Sequence, residues 1–194
     1  ARGVEDEMQE HGFRLIIGNA DEQLEKELDY IETFKLNNVN GLISATTNAD
    51  VMTYYDKLSF PLVLLDRTSD QHPSVQADGY KGGRLAASEL VKRGSRRITL
   101  LKGPVELQTA RDRFKGAVDE LYHAKVHFDV MTTSSFAVEK AEYWSKELFE
   151  QFPETDGVIA SNDVVAAAIL HEAQKLGRSI PEDLQIIGYD DIPF

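Results

Sequence analysis

The sequence predicts an α/β protein built from two doubly wound parallel-sheet lobes. Three observations predict it. Short apolar strands alternate with amphipathic helices along all 194 residues. The strands carry no clean polar alternation, which is the pattern of strands buried on both faces. There are also too many of them for one compact six-stranded sheet, and the polar stretch from Arg67 to Pro73 reads as a crossover between two sheets. The lobes are drawn at 1–70 and 71–194. The first opens inside a helix and shows three clear strands, so it is expected to lack its first strand, with the chain truncated at both ends.

Val4 and Met8, four apart among charged residues, mark one face of a first helix that Gly12 ends. Leu15-Ile16-Ile17 reads as a short strand. Asp21 is the expected N-cap of a helix whose apolar stripe is Leu24, Leu28, Ile31 and Phe34. Strand 41–43, a short helix at 51–58 and strand 62–65 follow. A brief strand at 74–77 leads into a helix at 79–93. Then come strand 98–101, helix 110–121, strand 126–131, helix 138–152, strand 157–160, helix 164–176 and strand 184–187.

Composition removes several classes of function. Lys and Arg number 21 against 33 Asp and Glu, a net charge of −12. A nucleic-acid surface needs clustered cations to displace phosphate counterions, and this chain has no such cluster. Zero cysteines exclude a disulfide framework, a thiolate zinc site and a cysteine nucleophile. No apolar run approaches the roughly 20 residues that span a bilayer, and no signal peptide opens the chain. No G-x-S-x-G elbow, Walker loop or HExxH spacing is present. His123 and His127 straddle an expected helix end and read as surface residues. An enzyme is therefore not expected, nor a metal or cofactor.

In open α/β sheets, ligands bind at the carboxyl ends of the strands. The residues there are Asn19, Ser44 to Thr46, Asp66 and Arg67, Gly103, Phe136, Asn162 and Asp163, and Asp190 and Asp191. Carboxylates, amides, arginine and one aromatic suit a polyhydroxylated small molecule. Hydroxyls take paired donors and acceptors, while a sugar ring presents C–H faces to an aromatic.

The same residues carry a resemblance. Leu64-Leu65-Asp66-Arg67, then Gly79-Tyr80-Lys81-Gly82-Gly83-Arg84-Leu85-Ala86, resembles the lactose-repressor (LacI/GalR) family of bacterial transcription regulators. So do Gly94 with Arg97 to Leu101 and Gly103-Pro104, and Ala110-Arg111-Asp112-Arg113 with Gly116. Asp156 to Asp163 and Ile180-Pro181-Glu182-Asp183-Leu184 with Gly188-Tyr189-Asp190-Asp191 complete a series in order along the whole chain. The resemblance implies a periplasmic-binding-protein-like (type I) effector core. It also implies a DNA-binding headpiece absent from this chain, a homodimer that uses the helix near Arg2 and the strand Arg14 to Ile17, and a cytoplasmic protein with no membrane partner. Closure of the two lobes on a sugar effector would set operator affinity.

By the same resemblance, Asp66 and Arg67 stand where an acid and an arginine meet sugar hydroxyls. Arg113 reaches the ligand from the second lobe, Phe136 covers the ring, and Asn162 and Asp190 complete the set, with all six expected in one cleft. That set is similar to the pocket of ribose-binding proteins, which makes a pentose such as ribose the expected effector of a repressor. Other roles stay open. Arg113 as a solvated helix residue, Phe136 as core and Asn162 as a helix cap are the alternatives, although Asp163 reads as the better cap. Arg111 is read as structural, Asp191 as a brace for its turn or a member of the site, and Asp78 as a turn carboxylate or a support for the site. The competing reading is a periplasmic sugar-binding receptor of a transport system. The Gly-Tyr-Asp-Asp turn and the Gly-Gly-Arg-Leu-Ala helix favour the regulator. A third reading, a general protein-interaction module, would need no ligand cleft.

Overall fold

A computed structural model describes all residues except 1, 22, 47, 68, 106, 134–137, 193 and 194. The chain divides into two compact units, 1–75 and 76–194.

In the first unit, helix α1 (Arg2–Glu10) ends as its glycine dictates. Gly12 has φ +78° and the Phe13 amide returns to the Met8 carbonyl at 2.8 Å, a left-handed helix stop. Helix α2 (Leu24–Leu36), β1 (Leu42–Ser44), a 3-10 turn (Ala49–Val51), α3 (Met52–Tyr55), β2 (Leu62–Leu65) and β3 (Ser74–Val75) follow. The three strands form a parallel sheet in the order β1-β2-β3, with Leu42 opposite Leu62 and Leu64 opposite Ser74. Ile31 and Phe34 of the expected stripe are buried, and Leu24, Leu28 and Ile31 join Val51, Tyr55, Leu62 and Leu64 in one core.

Four expectations change here. Leu15–Ile17 pairs with no strand among the described residues, and Ile16 and Ile17 are exposed. An apolar run is legible in sequence, but a ladder partner is not. Asp21 does not cap α2. It sits in a left-handed turn (φ 49°), its carboxylate is bound by Lys26 at 2.8 Å and by Asn19, and Gln23 holds the cap position. Ser74–Val75 belongs to the first sheet because it hydrogen-bonds to β2, so the compact units divide after Val75, beyond the boundary read from the polar stretch. Burial of both strand faces does not extend to this sheet, where Ile43 and Leu65 are 44 % and 40 % exposed while Leu62 and Leu64 are buried.

The second unit runs α4 (Gly79–Lys92), β4 (Arg97–Lys102), α5 (Gln108–Ala124), β5 (His127–Thr132), α6 (Val138–Gln151), β6 (Gly157–Ile159), α7 (Asp163–Lys175) and β7 (Gln185–Ile187). Its sheet is wholly parallel, ordered β5-β4-β6-β7. Helices cover both faces, as the unalternating strands predict. On one side Ile98, Leu100 and Ile159 pack with Ala86, Leu90, Ala117 and Leu121 of α4 and α5. On the other, Leu101, Met131 and Val158 pack with Leu148 of α6 and Val165 and Ile169 of α7.

The glycines of α4 and α5 set how closely those helices cross. A Cβ on Gly83 would lie 1.9 Å from the Arg113 carbonyl oxygen, and one on Gly116 would lie 2.0 Å from that of Tyr80. Backbone therefore packs on backbone, and this contact fixes where Arg113 emerges. Asp78 caps α4 by accepting from the Lys81 amide at 2.9 Å, which resolves its role as the turn carboxylate.

Candidate functional site

Parallel order places every strand's carboxyl end on one edge of its sheet. In the second unit the chain direction of the winding reverses between β4 and β6, because β4 connects outward to β5 and the next strand returns to its other side. A crevice opens at such a switch point. Here it is lined by Leu101, Gly103, Arg113, Phe114, Ala160 and Ser161.

Arg113 is held there on two sides. Its Nη1 donates to the Ser161 carbonyl at 2.5 Å. Its guanidinium carbon lies 3.3 Å from the centroid of the Tyr189 ring, a stacking that restrains the planar group and leaves its edge directed by the fork of N–H donors. Tyr189 follows β7 and reaches back over α4, where a Cβ on Gly82 would meet its hydroxyl at 2.5 Å. Tyr189 was not among the residues expected in the site. In sequence it appears only as a member of the Gly-Tyr-Asp-Asp turn, and its stacking partner lies on another element.

Asn162 is buried, and its side chain accepts from the Val165 amide at 2.9 Å as the N-cap of α7. This corrects the expectation that Asp163 is the cap. Asp163 instead braces the turn after β7. Its amide donates to the Tyr189 carbonyl at 2.9 Å, and its carboxylate accepts from the Ile192 amide at 2.9 Å. A Cβ on Gly188 would sit 2.0 Å from Asp163 Oδ1, so only glycine lets the brace approach. The bracing role expected of Asp191 thus belongs to Asp163. The turn carries Asp190 at φ 107° and Asp191 at φ 54°, both in the region that non-glycine residues rarely adopt. Such backbone clusters at ligand sites, where the surroundings over-determine it. Asp163, Gly188, Tyr189, Asp190 and Asp191 line an open hollow. Arg111 turns away and pins the preceding loop through the Val105 carbonyl (2.6 Å) and Gln108, in line with its structural reading. Phe136 lies outside the described residues.

In the first unit Asp66 and Arg67 follow β2. Asp66 has φ 53°, and its amide donates to the Val75 carbonyl at 2.8 Å. Arg67 donates through Nε to the Thr46 carbonyl and through Nη1 to the Asp66 carbonyl at 2.5 Å, which ties the end of β1 to the end of β2. Below them is a buried polar network that sequence reading did not anticipate beyond Ser44 and Thr46. Tyr55 donates to Glu27 Oε1 at 2.6 Å, and Thr46 Oγ1 donates to Glu27 Oε2 at 2.8 Å. Ser44 Oγ lies 2.6 Å from the Tyr55 hydroxyl and accepts from the Thr46 amide at 3.2 Å. Burial, followed by the bond to Glu27, pushes the Tyr55 hydroxyl far above the usual phenol range.

Each unit thus presents acid and guanidinium groups at the carboxyl edge of a parallel sheet. Carboxylate and guanidinium groups are the hydrogen-bond acceptors and donors that a hydroxyl can pair with. Among the described residues, no group of three or more His, Asp or Glu could hold a metal ion, and no helix is long and apolar enough to cross a membrane.

The fold and these strand ends define a class. Residues 1–192 match the family model described as periplasmic binding proteins and sugar binding domain of the LacI family. The chain belongs to that family. Among its relatives, the ribose operon repressor of Bacillus subtilis is 54 % identical over 193 residues, covering 100 % of this chain and 59 % of the repressor. A LacI family regulator from Enterococcus faecium, solved with bound ribose, is 28 % identical with a TM-score of 0.83, over 98 % of this chain and 71 % of that one. A periplasmic binding protein/LacI regulator from Alkaliphilus metalliredigens, complexed with D-xylulofuranose, is 29 % identical with a TM-score of 0.84, over 97 % and 70 %. The chain spans about three-fifths of the length of the B. subtilis repressor.

Proposed function

We propose that this chain is the effector-binding core of a LacI-type transcriptional repressor that responds to ribose. The observation that carries the proposal is the 54 % identity, across the whole chain, to a ribose operon repressor. The site chemistry agrees with it. Asp66 and Arg67 in the first unit, and Arg113, Asn162 and Asp190 in the second, offer the carboxylate, amide and guanidinium groups that hydroxyls require. Phe136 is assigned with them as the ring that covers the sugar's C–H face. The two ligands named in the solved relatives, ribose and D-xylulofuranose, are both five-carbon sugars.

In this reading the chain is not an enzyme. It acts in the cytoplasm as part of a homodimer, and it meets operator DNA through a headpiece outside these residues. The net charge of −12 supports that division of labour, because an acidic surface repels phosphates. Ribose shifts the regulator between states only by its difference in affinity for them. The test is a binding titration of the full-length protein on a DNA fragment from upstream of its own operon, with and without ribose. Ribose should change the operator affinity reproducibly, while sucrose and hypoxanthine should not. An operator affinity indifferent to ribose but altered by either of the others would overturn the reading.

A further inference from the structure

We infer that Glu27 is a positioning residue for the sugar site, acting through Tyr55, Ser44 and Thr46 to hold Arg67 in place. The inference rests on the reading of Arg67 as a sugar contact. Its basis is the direction of the protons. An ionised carboxylate only accepts. Glu27 therefore draws the one hydroxyl proton of Tyr55 to Oε1 (2.6 Å) and that of Thr46 to Oε2 (2.8 Å). With its own proton spent, the Tyr55 oxygen accepts, so Ser44 must donate to it at 2.6 Å. Ser44 then has lone pairs for the Thr46 amide at 3.2 Å, and Thr46 Oγ1 has one for the Asn48 amide at 3.0 Å. The hydroxyls take mutually consistent roles with Glu27 as the shared acceptor, the shorter 2.8 Å bond to Glu27 outweighing the 3.4 Å approach of Thr46 Oγ1 to the Asn48 carbonyl.

The output of the network is the orientation of the Thr46 peptide. Thr46 is held at its amide by Ser44 and at its side chain by Glu27, and its carbonyl receives Arg67 Nε. Tyr55, Ser44 and Thr46 are nearly inaccessible, at 2 %, 7 % and 9 % exposure, while Glu27 is half-buried, so water does not readily substitute for a lost partner on their side of the network. A plain core needs none of these groups. The surrounding cluster of Ile31, Val51, Leu62 and Leu64 is apolar, and a phenylalanine at 55 would fill the same volume. The polar chain instead runs from helix α2 through the end of β1 to the arginine.

The experiment compares ribose affinity by calorimetry for the full-length protein and its Glu27→Gln, Tyr55→Phe and Arg67→Ala variants, together with the Glu27→Gln/Arg67→Ala and Tyr55→Phe/Arg67→Ala doubles. The Arg67 Nε–Hε resonance is followed in parallel by NMR. Glu27→Gln removes one acceptor of the network and Tyr55→Phe the two bonds of its hydroxyl, so ribose should bind about threefold to tenfold more weakly in each. The Arg67 resonance should broaden or shift. In the Arg67→Ala background the same substitutions should cost nothing further, which a merely structural role would not produce. If Arg67→Ala itself leaves ribose affinity unchanged, the assignment of Arg67 to the site fails, and the inference with it. If Arg67→Ala weakens binding but the substitutions at 27 and 55 do not, or add in full to it, the positioning role alone is overturned. Should Glu27→Gln fail to fold, the isosteric Tyr55→Phe pair decides between these outcomes.

Discussion

Replacing Arg113 separates binding from stability in the second unit. Among the contacts that hold the guanidinium are the 2.5 Å bond to the Ser161 carbonyl and the stack on Tyr189 at 3.3 Å. Arg113→Ala removes both, at a cost to folding of about 1–3 kcal/mol from one hydrogen bond and one cation–π contact. If Arg113 contacts the sugar as proposed, the same substitution removes a charged donor from it. A hydrogen bond to a charged group contributes about 1.5–3 kcal/mol, so ribose affinity should fall roughly tenfold to a hundredfold. Arg113→Lys should recover little of this, because an ammonium offers neither the planar fork nor the stacking face. Tyr189→Phe keeps the ring and should stay close to wild type, whereas Tyr189→Ala should fall between wild type and Arg113→Ala. Calorimetry with ribose gives the affinity, and thermal unfolding in the absence of sugar gives the stability. An Arg113→Ala protein that is folded and binds ribose as wild type does would refute the reasoning.

Three further predictions follow from the same geometry. Gly83→Ala drives a methyl to within 1.9 Å of a backbone oxygen; it should destabilise the second unit by about 2–3 kcal/mol, read by chemical denaturation, and an unchanged midpoint would contradict the close crossing of α4 and α5. Asn162→Ala should cost about 1 kcal/mol of stability as a lost cap, while Asn162→Asp keeps the cap and should change ribose affinity alone; equal stability of all three proteins would show that Asn162 caps nothing. Asp21, Glu89 and Glu142 are held below the ordinary carboxylate range, chiefly by hydrogen bonds from Lys26, Arg93 and Lys146. Their stabilisation is therefore complete above that range and is lost as the pH falls through it towards their lowered values. Melting curves should show a modest acid limb that becomes shallower in Lys26→Met, Arg93→Met and Lys146→Met, and steeper limbs in those variants would reverse the sign.

Much of the second unit was legible because its signals are local. Apolar runs without alternation gave buried parallel strands, whereas the close crossing at Gly83 and Gly116 is seen only in the structure. Local signals failed where the answer lay in another element. Leu15–Ile17 has the composition of a strand but no ladder partner among the described residues. Ser74–Val75 is short and polar, and only its pairing with β2 assigns it to the first sheet. Asn162 and Asp163 are both good caps by residue type. What separates them is Gly188, which admits the Asp163 carboxylate to the turn after β7. In the same way Tyr189 and Glu27 act through partners on other elements, so no spacing rule reveals them. The strand-end rule, by contrast, needs only the order of the elements, and the residues it selects do follow strands: Asp66 and Arg67 after β2, Asn162 after β6 and Asp190 after β7.

The most direct test of the central claim is isothermal titration of the full-length protein with ribose, alongside sucrose and hypoxanthine. The account predicts saturable heat with ribose at one sugar per chain, weakened by Arg67→Ala and Arg113→Ala, and none with the other two. No ribose binding to a folded protein, with a purine or a disaccharide bound instead, would contradict it.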